Sequence, residues 1–305
     1  MLAAVDAEVV VVPCTTPAEV AAAVADADAV LCDQAPMPAE VIGALRRCRV
    51  ISRYGVGCDN VAVAAATARG IWVANVPDYC VEEVSDHTLA LVLARVRRLR
   101  LLDSEVRAGK WNVGSAQPIH RLQGKTYGLV GYGLIARTVH RKLAGFQFGQ
   151  VLVYDPFVPA ETVRSAGAEQ VGLDELCERS DVISVHVPLN DATRGLIGAK
   201  QCGRMKSTAV LVNVARGPVV NEAALVEGLR RGQPMMAGID VFESEPPVAS
   251  NPLLQLSNVI VSDHVAYYSR ESIAELKFKA ARNVAEVLAG RPPLYPVNRP
   301  ASPGL

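Results

Sequence analysis

The stretch Tyr127-Gly128-Leu129-Val130-Gly131-Tyr132-Gly133-Leu134-Ile135-Ala136 is an apolar, strand-forming run that stops at a pair of glycines and passes directly into an amphipathic segment ending near Leu143. Gly131 permits a tight turn, Gly133 lets a pyrophosphate come against the main chain, and Ala136 is small enough for helix and strand to pack. A helix opening at Leu134 and Ile135 presents its first N–H groups and its positive dipole end to those phosphates. Roughly twenty residues on, where the fingerprint requires an acid, the run Val151 to Tyr154 ends in Asp155 and Pro156. A carboxylate at Asp155 accepts both hydroxyls of an adenine ribose and repels a 2′-phosphate. Strand, loop, helix, strand and acid in this order predict a Rossmann-type unit that binds NAD in preference to NADP.

Working outward, the same alternation continues in both directions. Downstream, apolar strands end at His186, Asn213, Asp240 and Ser262, with Ala-rich amphipathic stretches between them. Upstream, shorter strands are expected at Glu8 to Val12, Ala29 to Cys32, Val50 to Arg53 and Ile71 to Ala74, with helices starting after Pro17, Pro38 and Asn60. A long helix is expected from about Val81 to Arg107, then a Gly- and Pro-bearing excursion from Gly109 to Gln123; a last helix runs from Ser269 to Leu288 and stops at Gly290. Alternation of this kind reads as α/β with parallel sheets. The length of 305 residues suggests two domains,. They are expected at 93–267 for the cofactor and at 1–92 with 268–305 for the substrate.

Half of the residues are hydrophobic and 20% are charged, enough apolar material for large cores, which excludes a disordered chain,. Lys plus Arg and Asp plus Glu are 31 each, so charge gives no reason to expect nucleic acid or an anionic membrane as partner,. No uncharged apolar run approaches the roughly 20 residues of a membrane span. The seven cysteines are scattered and never form a C-x-x-C pair, which predicts free thiols in a cytoplasmic protein and no metal site,.

Three polar clusters each follow an apolar strand: Asn213-Val214-Ala215-Arg216-Gly217, the run from Asp240 to Glu245-Pro246, and Asp263-His264-Val265-Ala266-Tyr267. Ligands of open α/β sheets bind at such carboxyl edges. With His186-Val187-Pro188-Leu189, Thr193 and the run Arg53-Tyr54-Gly55-Val56-Gly57-Cys58-Asp59-Asn60-Val61, the chain resembles the D-isomer-specific 2-hydroxyacid dehydrogenase family from about Val9 to Leu288. The resemblance implies two doubly wound parallel-sheet domains, a Rossmann-type cofactor domain inserted into a flavodoxin-like substrate domain, with the cleft between them active. It also implies a homodimer built around the long helix and the excursion. It makes Arg216 the clamp on substrate carboxylate and carbonyl, His264 the acid/base and Glu245 its partner. Asp240 matches the residue holding the nicotinamide amide, and Gly55 to Gly57 match the loop receiving the carboxylate. His186, Val187, Pro188, Thr193, Val214, Ala215 and Ala266 fall at cofactor positions, and Arg53, Tyr54, Val56 and Tyr267 at substrate positions.

The chemistry needs these residue types in its own right. Hydride delivery to a 2-keto acid builds negative charge on the carbonyl oxygen, which a fixed cation stabilises and a group titrating near neutrality protonates. Arg offers a planar fork for a carboxylate, His the proton, and a neighbouring Glu favours the imidazolium. Two other functions fit parts of the pattern: a non-catalytic NAD-sensing scaffold like the C-terminal binding proteins, and an NADPH-linked glyoxylate or hydroxypyruvate reductase, which Asp155 disfavours. The chain departs from the family pattern at Asp263, where proline is usual, so a second carboxylate beside His264 is expected either to affect its titration or to point away. Val56 stands where phosphite-oxidising relatives carry lysine. Family members also carry a strand and helix ahead of the segment matched at Val9, so the first domain is expected either to be reduced or to start upstream. His87, His120 and His140 have no comparable context and receive no chemical role.

Overall fold

The structure, a computed structural model, describes residues 2–301. Two compact units divide the chain: one holds the residues up to Cys80 together with those from Tyr268 on, the other Val81–Tyr267. The first crossing therefore falls at Cys80–Val81, where a helix begins, whereas the sequence suggests a boundary after residue 92.

In the first unit the order is α1 (Pro17–Val24), β1 (Ala29–Cys32), α2 (Ala39–Ala44), β2 (Val50–Arg53), α3 (Val63–Ala68) and β3 (Trp72–Ala74). Thr16 caps α1 in a reciprocal box with Glu19, which satisfies two otherwise orphaned N–H groups,. The three strands form a parallel sheet in the order β1-β2-β3. One face packs Val30, Cys32, Ile51 and Val73 against Val20, Val41, Ile42 and Leu45 of the α1 and α2 layer. The other packs Val50 against Val284 and Val287.

The expected strand at Glu8 to Val12 does not form. Its residues carry the right types, but a strand needs a ladder partner, and β1 pairs only with β2. Val9, Val10, Val11 and Val12 are exposed and lie in no helix or strand, Val11 at 88%.

The second unit runs α4 (Val81–Val96), α5 (Leu99–Arg107), β4 (Thr126–Val130), α6 (Leu134–Leu143), β5 (Gln150–Tyr154), α7 (Ala160–Ser165), β6 (Glu169–Gln170), α8 (Leu173–Arg179), β7 (Val182–Val185), α9 (Ala199–Arg204), β8 (Val210–Asn213), α10 (Glu222–Arg231), β9 (Met236–Ile239), α11 (Pro252–Gln255) and β10 (Val259–Val261). The chain then returns to the first unit as α12 (Arg270–Leu288), capped by Ser269,. The single long helix expected from Val81 to Arg107 is two helices. Arg98 adopts a left-handed φ of 53°, which ends α4,. Arg95, Arg97, Arg98 and Arg100 crowd this point, and like charges on adjacent turns oppose a continuous helix,.

All seven strands of the second sheet are parallel, in the order β10-β9-β8-β7-β4-β5-β6. β7, β8 and β9 are buried along their whole length, as helices on both faces require,. The strand order reverses between β4 and β7, and the crevice outside the carboxyl ends at such a switch point is where these sheets bind ligands. Every sequence-predicted cofactor residue of this unit follows the end of a strand. Among the described residues no helix is long and apolar enough to cross a membrane, and all seven cysteines are free.

Candidate active site

The glycine loop sits at the switch point. Gly131 has φ +94°, and a Cβ there would lie 3.0 Å from His186 C and Val187 N, so only glycine fits between β4 and the end of β7,. A Cβ at Gly133 would meet nothing within 4 Å. Gly133 N-caps α6 with no side-chain hydrogen bond, leaving the first N–H groups of a ten-residue helix uncapped,. Asp155 lies at the mouth of this loop. Its Oδ2 accepts from Tyr132 N at 2.8 Å and its Oδ1 from Phe157 N at 2.9 Å, so the carboxylate is fixed while each oxygen keeps acceptor capacity,. Open space over Gly133, an uncapped helix and a held acid fit a dinucleotide.

Other residues expected at cofactor positions follow the ends of β7 and β4. Val187 is buried beside Gly131, while Pro188 is exposed. The Thr193 hydroxyl donates to Pro188 O at 2.6 Å and so closes its own loop. Nε2 of His186 is 2.7 Å from Ser184 Oγ, and burial pushes the imidazole down to about 3, which keeps it neutral. Its Nδ1 is buried with no hydrogen-bond partner among the described residues. Leu134 is 53% exposed at the start of α6.

Arg216, Glu245 and His264 come from three successive loops and are brought together. After β8, the buried Asn213 holds its loop by accepting from Ala215 N at 3.1 Å and donating to Arg216 O at 3.0 Å. A Cβ at Gly217 would fall 1.9 Å from Phe242 C and O, so the loops after β8 and β9 touch main chain to main chain. Arg216 thereby reaches the field of Glu245, and its Nη1 donates to Ala215 O at 2.8 Å. Glu245 Oε1 accepts from Phe242 N at 2.9 Å, and Oε2 lies 2.6 Å from His264 Nδ1. Burial works against the Glu245 charge, but His264, the Phe242 N–H and Arg216 outweigh it and hold the carboxyl below its ordinary range,.

His264 has a left-handed φ of 56°. For a non-glycine residue this conformation costs about 1–2 kcal/mol, and Asp240 offsets it. The Asp240 main-chain oxygen accepts from His264 N at 2.8 Å. Its carboxylate, only 1% exposed, accepts from Ser262 Oγ at 2.6 Å, Val265 N at 3.0 Å and Ala266 N at 3.2 Å. Hydrogen bonds to a charged group contribute about 1.5–3 kcal/mol each, so the turn is held. Tyr267 stands edge-on to the His264 ring at 6.1 Å. Asp263 is exposed and makes no hydrogen bond to His264 among the described residues.

In the first unit the run after β2 forms its own loop. Gly55 has φ +140°, and a Cβ there would lie 1.4 Å from Arg53 Nη1. Arg53 is folded over this loop, donating to Tyr54 O and lying 3.9 Å from Asp33. Asn75 Nδ2 holds Val56 O at 2.7 Å, while the N–H groups of Val56 and Gly57 have no acceptor among the described residues.

Sequence reasoning missed two features. His87, given no role, has Nε2 2.9 Å from Ser262 Oγ and 3.4 Å from Asp240 Oδ1. His140 Nδ1 takes the Tyr132 hydroxyl at 2.8 Å, with Arg137 over the Tyr132 ring. The His140 contact spans eight residues, about two helical turns, from the glycine loop into α6, a spacing legible in the sequence,. The His87 contact joins α4 to the loop after β10, and no local pattern announces it.

Fold and loop cluster together define a dinucleotide-binding protein of the doubly wound class. Residues 89–266 match the family model described as D-isomer specific 2-hydroxyacid dehydrogenase, NAD binding domain. The chain is 40% identical over 268 residues to a D-3-phosphoglycerate dehydrogenase of Archaeoglobus fulgidus, covering 88% of this chain and 50% of that protein. A glyoxylate reductase of Korarchaeum cryptofilum is also 40% identical over 268 residues, with 87% and 80% covered. The D-lactate dehydrogenase of Aquifex aeolicus, solved with NAD and lactic acid, superposes with a TM-score of 0.83 at 29% identity, covering 88% of this chain and 85% of that one. The chain belongs to the D-isomer-specific 2-hydroxyacid dehydrogenase family and carries its NAD-binding domain. It spans about half the length of the phosphoglycerate dehydrogenase it matches.

Proposed function

We propose that this protein is an NAD-dependent dehydrogenase interconverting a D-2-hydroxy acid and its 2-keto acid. The observation that carries the reading is the 2.6 Å contact between Glu245 Oε2 and His264 Nδ1, next to Arg216 at the carboxyl edge of a dinucleotide-binding sheet. NAD, when bound, supplies the hydride acceptor or donor. Gly131, Gly133, Leu134, Ile135 and Asp155 hold its phosphates and ribose, with Pro156, His186, Val187, Pro188, Thr193, Val214, Ala215, Asp240 and Ala266 around the remainder. Arg216 clamps carboxylate and carbonyl through its planar fork, balancing charge that grows on the carbonyl oxygen. Glu245 holds Nδ1, so His264 turns Nε2 to the substrate oxygen and gives it a proton during reduction or takes one during oxidation. In the first unit, the free N–H pair of Val56 and Gly57 is of the kind that receives a carboxylate, and Arg53, Tyr54, Gly55 and Tyr267 complete the substrate set.

We further propose a cytoplasmic homodimer. Its support is the exposed apolar side chains of α5 and the segment after it: Leu99 at 53%, Val106 at 53%, Val113 at 71% and Trp111 at 90%,. Free thiols support a reducing compartment,.

Oxidation of NADH by purified protein against glyoxylate, hydroxypyruvate, phosphohydroxypyruvate, pyruvate and bulkier 2-keto acids tests the reading. Turnover with at least one is expected, and the best substrate names the physiological class. Tight NADH binding with no turnover on any member of the panel overturns it in favour of a sensing scaffold.

A further inference from the structure

We infer that His87 is a positioning residue for His264, acting through Ser262 and Asp240; this rests on the proposed role of His264. The turn from Ser262 to Ala266 is wound around one buried carboxylate. Asp240 receives the Ser262 hydroxyl and the N–H groups of Val265 and Ala266 on its side chain, and the His264 N–H on its main-chain oxygen. His264 keeps its left-handed backbone only while that arrangement holds,.

Ser262 has one hydroxyl proton, and the 2.6 Å contact spends it on Asp240 Oδ1,. Its oxygen is then an acceptor toward His87, so His87 Nε2, at 2.9 Å, carries the hydrogen and donates. The same nitrogen stands 3.4 Å from Asp240 Oδ1. The helix α4 thus reaches across the strand ends and orients the hydroxyl that orients the carboxylate. His87 is no space-filler in the core, since its side chain is 24% exposed. Without the donor, the Ser262 hydroxyl is free to rotate off Asp240, the turn relaxes, and the His264 ring leaves its orientation.

The test compares His87→Leu, which keeps bulk and loses the donor, with His87→Gln, whose amide N–H can reach Ser262 Oγ. For His87→Leu, kcat for keto-acid reduction falls about tenfold while KM and Kd for NADH stay near their parent values. His87→Gln recovers most of that loss. Ser262→Ala breaks the relay from its other end, and adding His87→Leu to it produces no further loss. Imidazole ¹⁵N spectra of His264 are read in the same proteins without any substrate, and they shift in His87→Leu and not in His87→Gln. This spectrum separates the two ideas: it moves with the relay even if His264→Ala proves His264 dispensable for turnover. Unchanged His264 signals and kcat in His87→Leu, Gln no better than Leu, or additive losses in the double variant each overturn the inference.

Discussion

Nδ1 of His264 lies 2.6 Å from Oε2 of Glu245, and the opposite oxygen of that carboxylate is held by the Phe242 N–H at 2.9 Å. The carboxylate is held from both sides, and Nε2 is the imidazole nitrogen that Glu245 does not engage.

Glu245→Gln keeps the shape and loses the charged acceptor at Nδ1. In this variant kcat/KM for keto-acid reduction falls by about tenfold or more while Kd for NADH stays near the parent value. Asp263→Asn changes kcat/KM little, because Asp263 is exposed and has no hydrogen bond to His264 among the described residues. His264→Ala abolishes nearly all turnover with NADH binding intact. A loss in Asp263→Asn and none in Glu245→Gln would reverse the assignment.

Stability against acid gives a second readout of the pair. Glu245 is held ionised below its ordinary range. Its contribution to stability is fully present above the usual carboxylate pKa and is lost as pH falls through the lowered value. Acid unfolding followed by circular dichroism should show a smaller decline below about pH 5 in Glu245→Gln than in the parent.

Arg216→Lys keeps a charge and loses the fork. A loss in kcat/KM of about 2 kcal/mol or more, roughly thirtyfold, is expected. NADH affinity by fluorescence titration stays close to that of the parent. Near-normal kinetics would remove Arg216 from the mechanism.

On the proposed cofactor reading, the Asp155 carboxylate would repel the 2′-phosphate of NADP. The parent binds NADH more tightly than NADPH, and Asp155→Ala narrows the gap. The variant also releases the Tyr132 and Phe157 N–H groups, so NADH affinity itself drops. Equal affinities in the parent would contradict the cofactor preference.

Gly217→Ala puts a methyl 1.9 Å from Phe242 C and O, where only main chain could yield. The expected cost is about 3 kcal/mol or more, read as a lowered midpoint in urea. Where the variant still folds, separation of the two loops lowers kcat as well.

Much of the second unit was legible in the sequence, because local rules govern it. The glycine loop, Asp155 and the ends of β7, β8 and β9 sit where periodicity and turn chemistry put them, and β2 matched Val50 to Arg53 residue for residue. Glu8 to Val12 had the composition of a strand, yet strand formation depends on a neighbour's N–H and C=O row, which composition does not contain. The helix from Val81 to Arg107 had continuous periodicity, and the break at Arg98 came from a backbone conformation that periodicity does not register.

By itself the sequence determined the α/β alternation and the glycine loop between strand and helix, and it placed Arg216, Glu245 and His264 in order along the chain. Only the tertiary structure decided that a missing Cβ at Gly217 lets two loops touch, that Asp240 holds His264 in a left-handed turn, and that Asp263 is exposed. It also supplied His87, from a helix 175 residues away in sequence from the serine it meets. Local order is set by spacings of a few residues, whereas a parallel sheet lines up the carboxyl ends of strands far apart in the chain, so the side chains that meet there share no local pattern.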